Sequence, residues 1–97
     1  MITIKAKIKL YKGKNTRKTA FQTGYRPLFY FIPETKTSGQ ISLINQHEFF
    51  PGEEGIVKIN FLHIEYLGND FAVGKKFAFS EGHEILGEGE VLEILNL

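Results

Sequence analysis

Hydrophobic and polar residues alternate along the first ten positions of the chain. The apolar positions are Ile2, Ile4, Ala6, Ile8 and Leu10, and threonine or lysine stands between them. A period of two places successive side chains on opposite faces of an extended backbone. The pattern therefore predicts a half-buried strand with one apolar face and one charged face.

Later segments repeat this alternation. In the segment from Ile56 to Tyr66, Val57, Ile59 and Phe61 lie on one face, and Lys58 and Asn60 lie on the opposite face. Phe77 and Phe79 flank an alanine in a shorter run, and the segment from Ile85 to Leu95 closes the series. We expect a strand in each of these places.

Turn-forming residues separate the apolar segments. We interpret "PETKTSG" as a turn cluster before a short strand "QISLI", and we interpret "KGKNTRKTA" as an exposed loop. Further turns are predicted at "FFPGEEG", "LGNDFAVGKK" and "SEGHE", where proline sets φ and glycine accepts positive φ.

The stretch "GYRPLFYF" combines an apolar run with two residues that fit poorly in a buried strand. Proline cannot donate to a sheet ladder, so Pro27 is expected at a strand start or edge. Phe29 and Phe31 then fill the core from one face. Arg26 lies on the opposite face, where we expect it to pair with a carboxylate of the acidic second half of the chain.

No window of a dozen residues shows a helical stripe, and ten glycines fit tight turns between short strands. Six or so strands at this spacing predict an all-β barrel or sandwich. We favour a barrel because it leaves no open edge and because Gly87 and Gly89 permit curvature in the last strand. The 97 residues are expected to form one domain, 1–97.

Composition restricts the class of protein further. The chain has no cysteine, which excludes disulfides and thiolate metal sites and fits a reducing compartment. Its amino terminus alternates lysine with isoleucine and lacks the apolar core of a signal peptide. No apolar run is long enough to span a bilayer. We expect a cytoplasmic protein that does not enter the membrane.

Charge is divided unevenly along the chain. Residues 1–48 carry nine basic and two acidic residues, whereas residues 49–97 carry three basic and nine acidic ones. Seven basic residues fall between Lys5 and Lys18. This half could face an anion such as nucleic acid, or the two halves could pair with each other in the fold. The near-zero total of +1 makes the second alternative at least as strong.

Candidate catalytic residues are few. The three histidines have no ligand-like spacing, and His63 continues an apolar register, which predicts a core or strand-end residue. Ser80, Glu81 and His83 are close in sequence, but triads are assembled across a fold and not within one turn. There is no phosphate-binding GxxxxGK[ST] motif. We therefore expect no enzyme, no cofactor and no metal site.

Aromatic residues beside basic ones can stack nucleic acid bases. Tyr11, Tyr25 and Tyr30 could serve in this way. The nine phenylalanines mostly alternate in strand register, and core packing is the better interpretation for them.

Several segments in order resemble the C-terminal β-barrel, domain III, of bacterial elongation factor Tu. The resemblance includes "TRKTAFQTGYRPLFYF", "TSGQISL", "FFPGEEG", "KKFAFSEG" and "LGEGEVLEIL", and it runs from about Ile2 to Leu95. It implies a single six-stranded antiparallel β-barrel. The family's GTPase domain is missing from this chain, so no GTP binding is expected.

The resemblance implies a tRNA-contacting surface. Arg17 and Gly82 keep the family residue, Ser38 keeps the hydroxyl of a threonine, and Lys18 stands where the family has histidine. Three neighbouring positions depart from the family, which has glutamine or arginine there: Leu28, Ile32 and Ser80. Losing cationic contacts removes part of the salt-dependent phosphate affinity. We expect weaker tRNA binding than in the family.

A second implied surface faces the GTPase domain in the full factor. Lys76, Ala78 and Glu81 resemble that face, and Arg26 completes the set of candidates for a protein interface. Without its own GTPase domain, this face is expected to be exposed or to be covered by another protein.

These observations favour a non-catalytic binding module. Its expected partner is a translation factor or a protein that binds elongation factor Tu, and a decoy or immunity-type mimic is one version. The alternative is a tRNA- or RNA-binding module that uses the basic amino-terminal half. A third hypothesis is a vestigial fragment that stabilises a larger assembly.

Overall fold

A computed structural model describes residues 1–13 and 17–96. It contains six strands and one short 3₁₀ helix. The strands are β1 (Ile2–Leu10), β2 (Leu28–Ile32), β3 (Thr35–Leu43), β4 (Glu54–Phe61), β5 (Lys76–Glu81) and β6 (Glu84–Asn96). The 3₁₀ helix (Ile64–Tyr66) follows β4.

The strands form one closed antiparallel barrel in the order β1-β4-β3-β2-β5-β6. Closure pairs the first strand with the last. The prediction of an all-β, six-stranded barrel is confirmed.

The alternation predicted for β1 is present in the structure. Its apolar residues point into the barrel and are buried, and its lysines lie on the outer surface. Burying this apolar row stabilises the fold by about 25 cal/mol for each Å² of apolar surface removed from water. A one-residue slip would move the whole row to the outside, so burial also sets the register of β1 against its neighbours.

The second apolar run begins its strand directly after Pro27, as expected for a residue that cannot donate to a ladder. Phe29 and Phe31 are buried in the core, which confirms their predicted role. Ile41 donates its backbone N–H to the Tyr25 carbonyl at 2.9 Å, so the segment before Pro27 also runs alongside β3.

The interpretation of "PETKTSG" as a turn cluster is wrong in its larger part. The turn is confined to Pro33 and Glu34, and Glu34 adopts a φ of 62°. Strand β3 already begins at Thr35 and continues through Gly39. Threonine is a good strand former, and Thr37 points inward against the core, so tertiary packing outweighs the turn-like composition.

Strand β4 ends at Phe61, and the chain then leaves the sheet. His63 lies just past this end, with 58% of its side chain exposed. Its predicted position at a strand end is therefore confirmed, and the alternative position in the core is wrong. The apolar register stops because the backbone turns into the 3₁₀ helix, which breaks the period of two.

Inside the barrel, aromatic rings of β5 pack against glycines of β6. Phe79 pairs with Gly87, and Phe77 pairs with Gly89, across β5 and β6. A Cβ added at Gly87 would lie 2.4 Å from the Phe79 ring and 2.2 Å from the Lys9 carbonyl oxygen. The two glycines therefore provide the space into which the two rings pack, in addition to permitting curvature.

Candidate binding surfaces

The lysines of β1 lie between β6, which presents glutamates, and β4, which presents Glu54 and Lys58. In the β1–β6 register, Lys5, Lys7 and Lys9 face Glu93, Glu90 and Glu88. Lys5 Nζ lies 3.9 Å from Glu93 Oε1 on this side, and on the β4 side Lys7 Nζ lies 2.8 Å from Glu54 Oε1. We call this outer surface, formed by Lys5, Lys7, Lys9 and their glutamates, the β1 face.

Pairing on the β1 face changes the proton affinities of its groups. The hydrogen bond and the opposite charge between Lys7 and Glu54 raise the pKa of the lysine and lower the pKa of the carboxyl. Tyr11 donates its hydroxyl to Glu88 at 2.6 Å, and this hydrogen bond is the main cause that raises the pKa of Tyr11 to about 12. The basic and acidic halves of the chain therefore neutralise each other on this face. This is one of the two alternatives that the charge distribution along the sequence left open.

Arg17 is held within the chain by several contacts. Its NH1 lies 2.7 Å from Glu81 Oε1, its Nε donates to the Thr19 carbonyl at 2.9 Å, and its NH2 donates to the Ala20 carbonyl at 3.2 Å. The guanidinium carbon also lies 4.7 Å from the centre of the Tyr25 ring. These contacts direct the donors of Arg17 toward its own chain.

Tyr25 completes this cluster. Its hydroxyl donates to the same Glu81 oxygen that Arg17 contacts, and its ring stacks on Phe21 at 4.6 Å. Burial, followed by the hydrogen bond to Glu81, raises the pKa of Tyr25. The cluster ties the segment before β2 to the end of β5. It therefore joins a predicted RNA contact, Arg17, to a predicted protein contact, Glu81.

The other positions implied for tRNA lie around this cluster. Gly82 follows Glu81 in the β5–β6 turn with a φ of 57°. Ser38 faces Leu28 across β3 and β2, and Leu28 faces Ser80 on β5. Lys18 is exposed and donates its ammonium to the Gly13 carbonyl. The fold thus groups these residues near one end of the barrel.

The remaining protein-interface candidates share the outer surface of β2 and β5. Ala78 stands in register between Tyr30 on β2 and Glu88 on β6. A small residue between two taller ones forms the floor of an open groove, which Lys76 also lines. We call the surface formed by Tyr30, Lys76, Ala78 and Glu88 the β5 face.

Arg26 extends the same side of the barrel. Burial alternates from Tyr25 through Phe29, which places Arg26 outside, and it is exposed. The expected pairing of Arg26 with a carboxylate is wrong: within residues 1–13 and 17–96 it makes no ion pair. The carboxylate at the end of β5, Glu81, contacts Arg17 instead.

The structure separates the residues that were close in sequence near the β5–β6 turn. Ser80 is buried, and its hydroxyl donates to the Tyr30 hydroxyl at 3.3 Å. His83 is exposed in the turn. Within the described ranges no group of three or more histidine or acidic side chains is arranged to hold a metal ion.

Phe50 is a surface residue that pattern analysis assigned to the core with the other phenylalanines. It is 54% exposed, whereas its neighbour Phe49 is fully buried. Phe50 shares an open depression with Lys12, Lys18 and Pro51. Consecutive residues of an extended segment face opposite ways, so the pair "FF" before Pro51 contained a signal that one of the two rings points outward.

Comparison with protein-family models finds none that matches this chain. In the part of the chain that the structure describes, no helix is long and apolar enough to cross a membrane.

Proposed function

We propose that this chain is a non-catalytic binding module that engages a protein partner through the β5 face. The observation that carries the proposal is the groove above Ala78, which lies on an outer surface where Lys76 and Arg26 make no ion pair within the described residues. A partner side chain can enter the groove between Tyr30 and Glu88.

The charges of this surface indicate the chemistry of the partner. Lys76 and Arg26 are both exposed, and neither makes an ion pair within the described residues. At about 3.4 Å per residue, the two positions are roughly 20 Å apart along the strands. Lys76 lines the groove and Arg26 lies farther along the same surface, which favours a partner with acidic residues that reach these two cations on either side of an apolar side chain.

The resemblance to domain III of elongation factor Tu supports a specific class of partner. We propose a translation factor, or a protein that binds elongation factor Tu and would also bind this barrel. In the second case the chain acts as a decoy that competes with the factor. Glu81 contributes less to such an interface than the sequence implied, because Arg17 and Tyr25 already contact its carboxylate.

Photo-crosslinking tests the proposal directly. A photoreactive amino acid at Ala78, on the floor of the groove, should crosslink a defined protein in a cell lysate. Mass spectrometry should identify that protein as a translation factor or as a protein that binds elongation factor Tu. The matched control carries the same photoreactive residue at Lys58, an exposed position on β4, which lies opposite β5 in the closed barrel.

A purified partner then allows a quantitative test. Lys76→Glu should weaken binding at least about tenfold, since it replaces attraction by repulsion at the interface. Lys58→Glu should leave affinity unchanged. Equal crosslinking from Ala78 and Lys58, or equal effects of the two substitutions, would contradict the β5 face as the binding surface.

RNA binding through the whole basic half has less support. The lysines of the β1 face already have glutamate neighbours, and Arg17 contacts Glu81. A phosphate would have to compete with these carboxylates for each cation. This second candidate therefore retains only the cations outside the β1 face.

A further inference from the structure

The end of the barrel at Phe50 carries a site that goes beyond the proposed protein-binding function. We propose that Phe50, Lys12 and Lys18 form a site for single-stranded nucleic acid. In this site a base stacks on Phe50, and the two lysines contact backbone phosphates. Lys12 and Phe50 are outside the positions that the resemblance to elongation factor Tu assigns to tRNA.

The first observation is an exposed aromatic ring on a fixed backbone. Phe50 N–H donates to Glu53 Oε1 at 2.9 Å, and Glu53 N–H donates back to the Phe50 carbonyl at 3.0 Å. Gly52 N–H donates to the Leu10 carbonyl at 2.7 Å, which anchors the turn to the end of β1. The ring is therefore presented to solvent from a rigid turn, which lowers the entropy lost when a ligand stacks on it.

The second observation is the charge beside the ring. The depression has a volume of about 550 Å³ and is lined by Lys12, Gly13, Arg17, Lys18, Phe50 and Pro51. This volume lies within the roughly 300–1,000 Å³ of small-molecule sites. The stem of Lys12 lies along the turn, since a Cβ built on Gly52 would be 3.5 Å from Lys12 Cδ.

Nucleic acid fits this combination better than an acidic peptide does. An acidic peptide would use the lysines but has no need of an exposed ring. Single-stranded nucleic acid uses both, because phosphates bind cations and every base has a face that stacks on an aromatic ring. A duplex hides its bases and cannot use Phe50 in this way.

Fluorescence anisotropy with a labelled RNA oligonucleotide of about eight nucleotides tests the site on the full chain. We expect Phe50→Ala to weaken binding by about fivefold or more, and Phe50→Tyr to retain it. Tyr66→Ala, which removes an exposed ring elsewhere, should have no effect. Thermal melting of each variant checks that the fold is retained.

Salt dependence separates this site from the basic half as a whole. Binding to single strands loses about 0.7 log unit of affinity per log unit of salt for each phosphate contacted. Two lysines predict a slope of about −1.4, whereas all seven basic residues between Lys5 and Lys18 predict about −5. The double variant Lys12→Gln, Lys18→Gln should lower both affinity and slope, and Lys36→Gln should change neither.

Three further arms define the ligand. A DNA oligonucleotide that binds as well as RNA supports a stacking site that does not read the sugar, and a preference for RNA supports recognition of the 2′-hydroxyl. Stronger binding to duplex RNA than to single strands would overturn the proposal. It would also be overturned by oligoglutamate binding as tightly as RNA with no effect of Phe50→Ala, or by no binding of the single strands.

Discussion

The two sides of the barrel wall are built differently. On one side β1 and β6 pair over Thr3–Leu10, whereas on the other side β2 and β5 pair over only three positions, from Leu28 to Tyr30. The long side has an extended ladder, interrupted by register shifts at Thr3/Ile4 and Lys5/Ala6, and small or aliphatic residues inside. The short side has little ladder but four inward-pointing phenylalanines, at positions 29, 31, 77 and 79. Ring packing thus supplies cohesion where backbone hydrogen bonds are few.

The outer surfaces of the two sides also differ. On the long side Lys5 and Lys7 make ion pairs with Glu93 and Glu54. On the short side Lys76 faces Glu90 in the β5–β6 register, but neither Lys76 nor Arg26 has a carboxylate at ion-pair distance within the described residues. The comparison shows that the number of basic residues in a segment does not determine its surface potential. The placement of the neighbouring carboxylates matters as well: β6 borders both surfaces, yet among these lysines only Lys5 and Lys7 have a carboxylate at ion-pair distance within the described residues.

The largest effect should come from removing a ring on the short side. Phe29→Ala deletes a fully buried side chain that contacts the rings of Phe61, Phe77 and Phe79, at centroid distances from 5.2 to 5.9 Å. We expect a loss of about 4 kcal/mol in the free energy of unfolding, from lost burial plus the cavity. Urea denaturation followed by circular dichroism measures it. Phe50→Ala is the control and should change stability by less than about 0.5 kcal/mol.

A smaller loss should follow from adding one methyl group to the long side. In Gly87→Ala the new Cβ would overlap the Lys9 carbonyl and the Phe79 ring, at 2.2 and 2.4 Å. The strands β1 and β6 must separate to accommodate it, and we expect about 3 kcal/mol of destabilisation. Gly13→Ala, where a Cβ meets nothing within 4 Å, is the matched control. Equal melting temperatures for the two variants would show that the close approach of the backbone and the Phe79 ring to Gly87 does not limit stability.

One substitution on the short side should stabilise the protein. Thr37 faces Phe29 across β2 and β3, and among the residues that the structure describes its buried hydroxyl has no hydrogen-bond partner. Thr37→Val keeps the shape and removes this polar atom, so we expect a gain of about 1 kcal/mol. Thr23→Val should do the opposite, because the Thr23 hydroxyl accepts the Leu43 N–H at 2.9 Å. A loss of stability in Thr37→Val would mean that the hydroxyl is satisfied in solution.

The smallest effect should distinguish the two outer surfaces. Lys7→Gln removes a cation beside Glu54 and Glu90, whereas Lys76→Gln removes one without an ion pair. We expect Lys7→Gln to lower the melting temperature slightly at low salt and Lys76→Gln to leave it unchanged, since exposed ion pairs contribute little. The difference should vanish near 1 M salt, where the Debye length is about 3 Å. A difference that persists in high salt would contradict an electrostatic origin.

Much of this fold is predictable because the pattern of burial is local. The period of two marks β1, β4 and β5, and Pro27 marks the start of β2. The beginning of β3 is missed because "TKTSG" resembles a turn in composition, and only its packing on β2 and the core makes it a strand. Closure is predicted by the open-edge argument and by Gly87 and Gly89, and the resemblance implies it too, whereas no local pattern predicts the strand order.

The candidate surfaces are harder to predict because their contacts join distant parts of the chain. Arg17 and Glu81 are 64 positions apart, and no local pattern indicates that they meet. The pairing of Arg26 with a carboxylate of the second half is wrong for the same reason, because no local pattern indicates which carboxylates lie near it in the fold. The exposure of Phe50 depends on which face of its segment meets the barrel, and composition carries no such information.

Barrel closure has a consequence for the time course of folding. Ile4 pairs with Ile94 and Ile8 pairs with Gly89, so the seam joins residues about eighty to ninety positions apart. Such non-local pairing slows folding toward the millisecond-to-second range. Until β6 arrives, β1 is a strand with one apolar face and one open edge. During this interval the lysine charges at every second position keep the unpaired β1 from pairing with other chains. This role ends once β6, with its glutamates, has paired with β1.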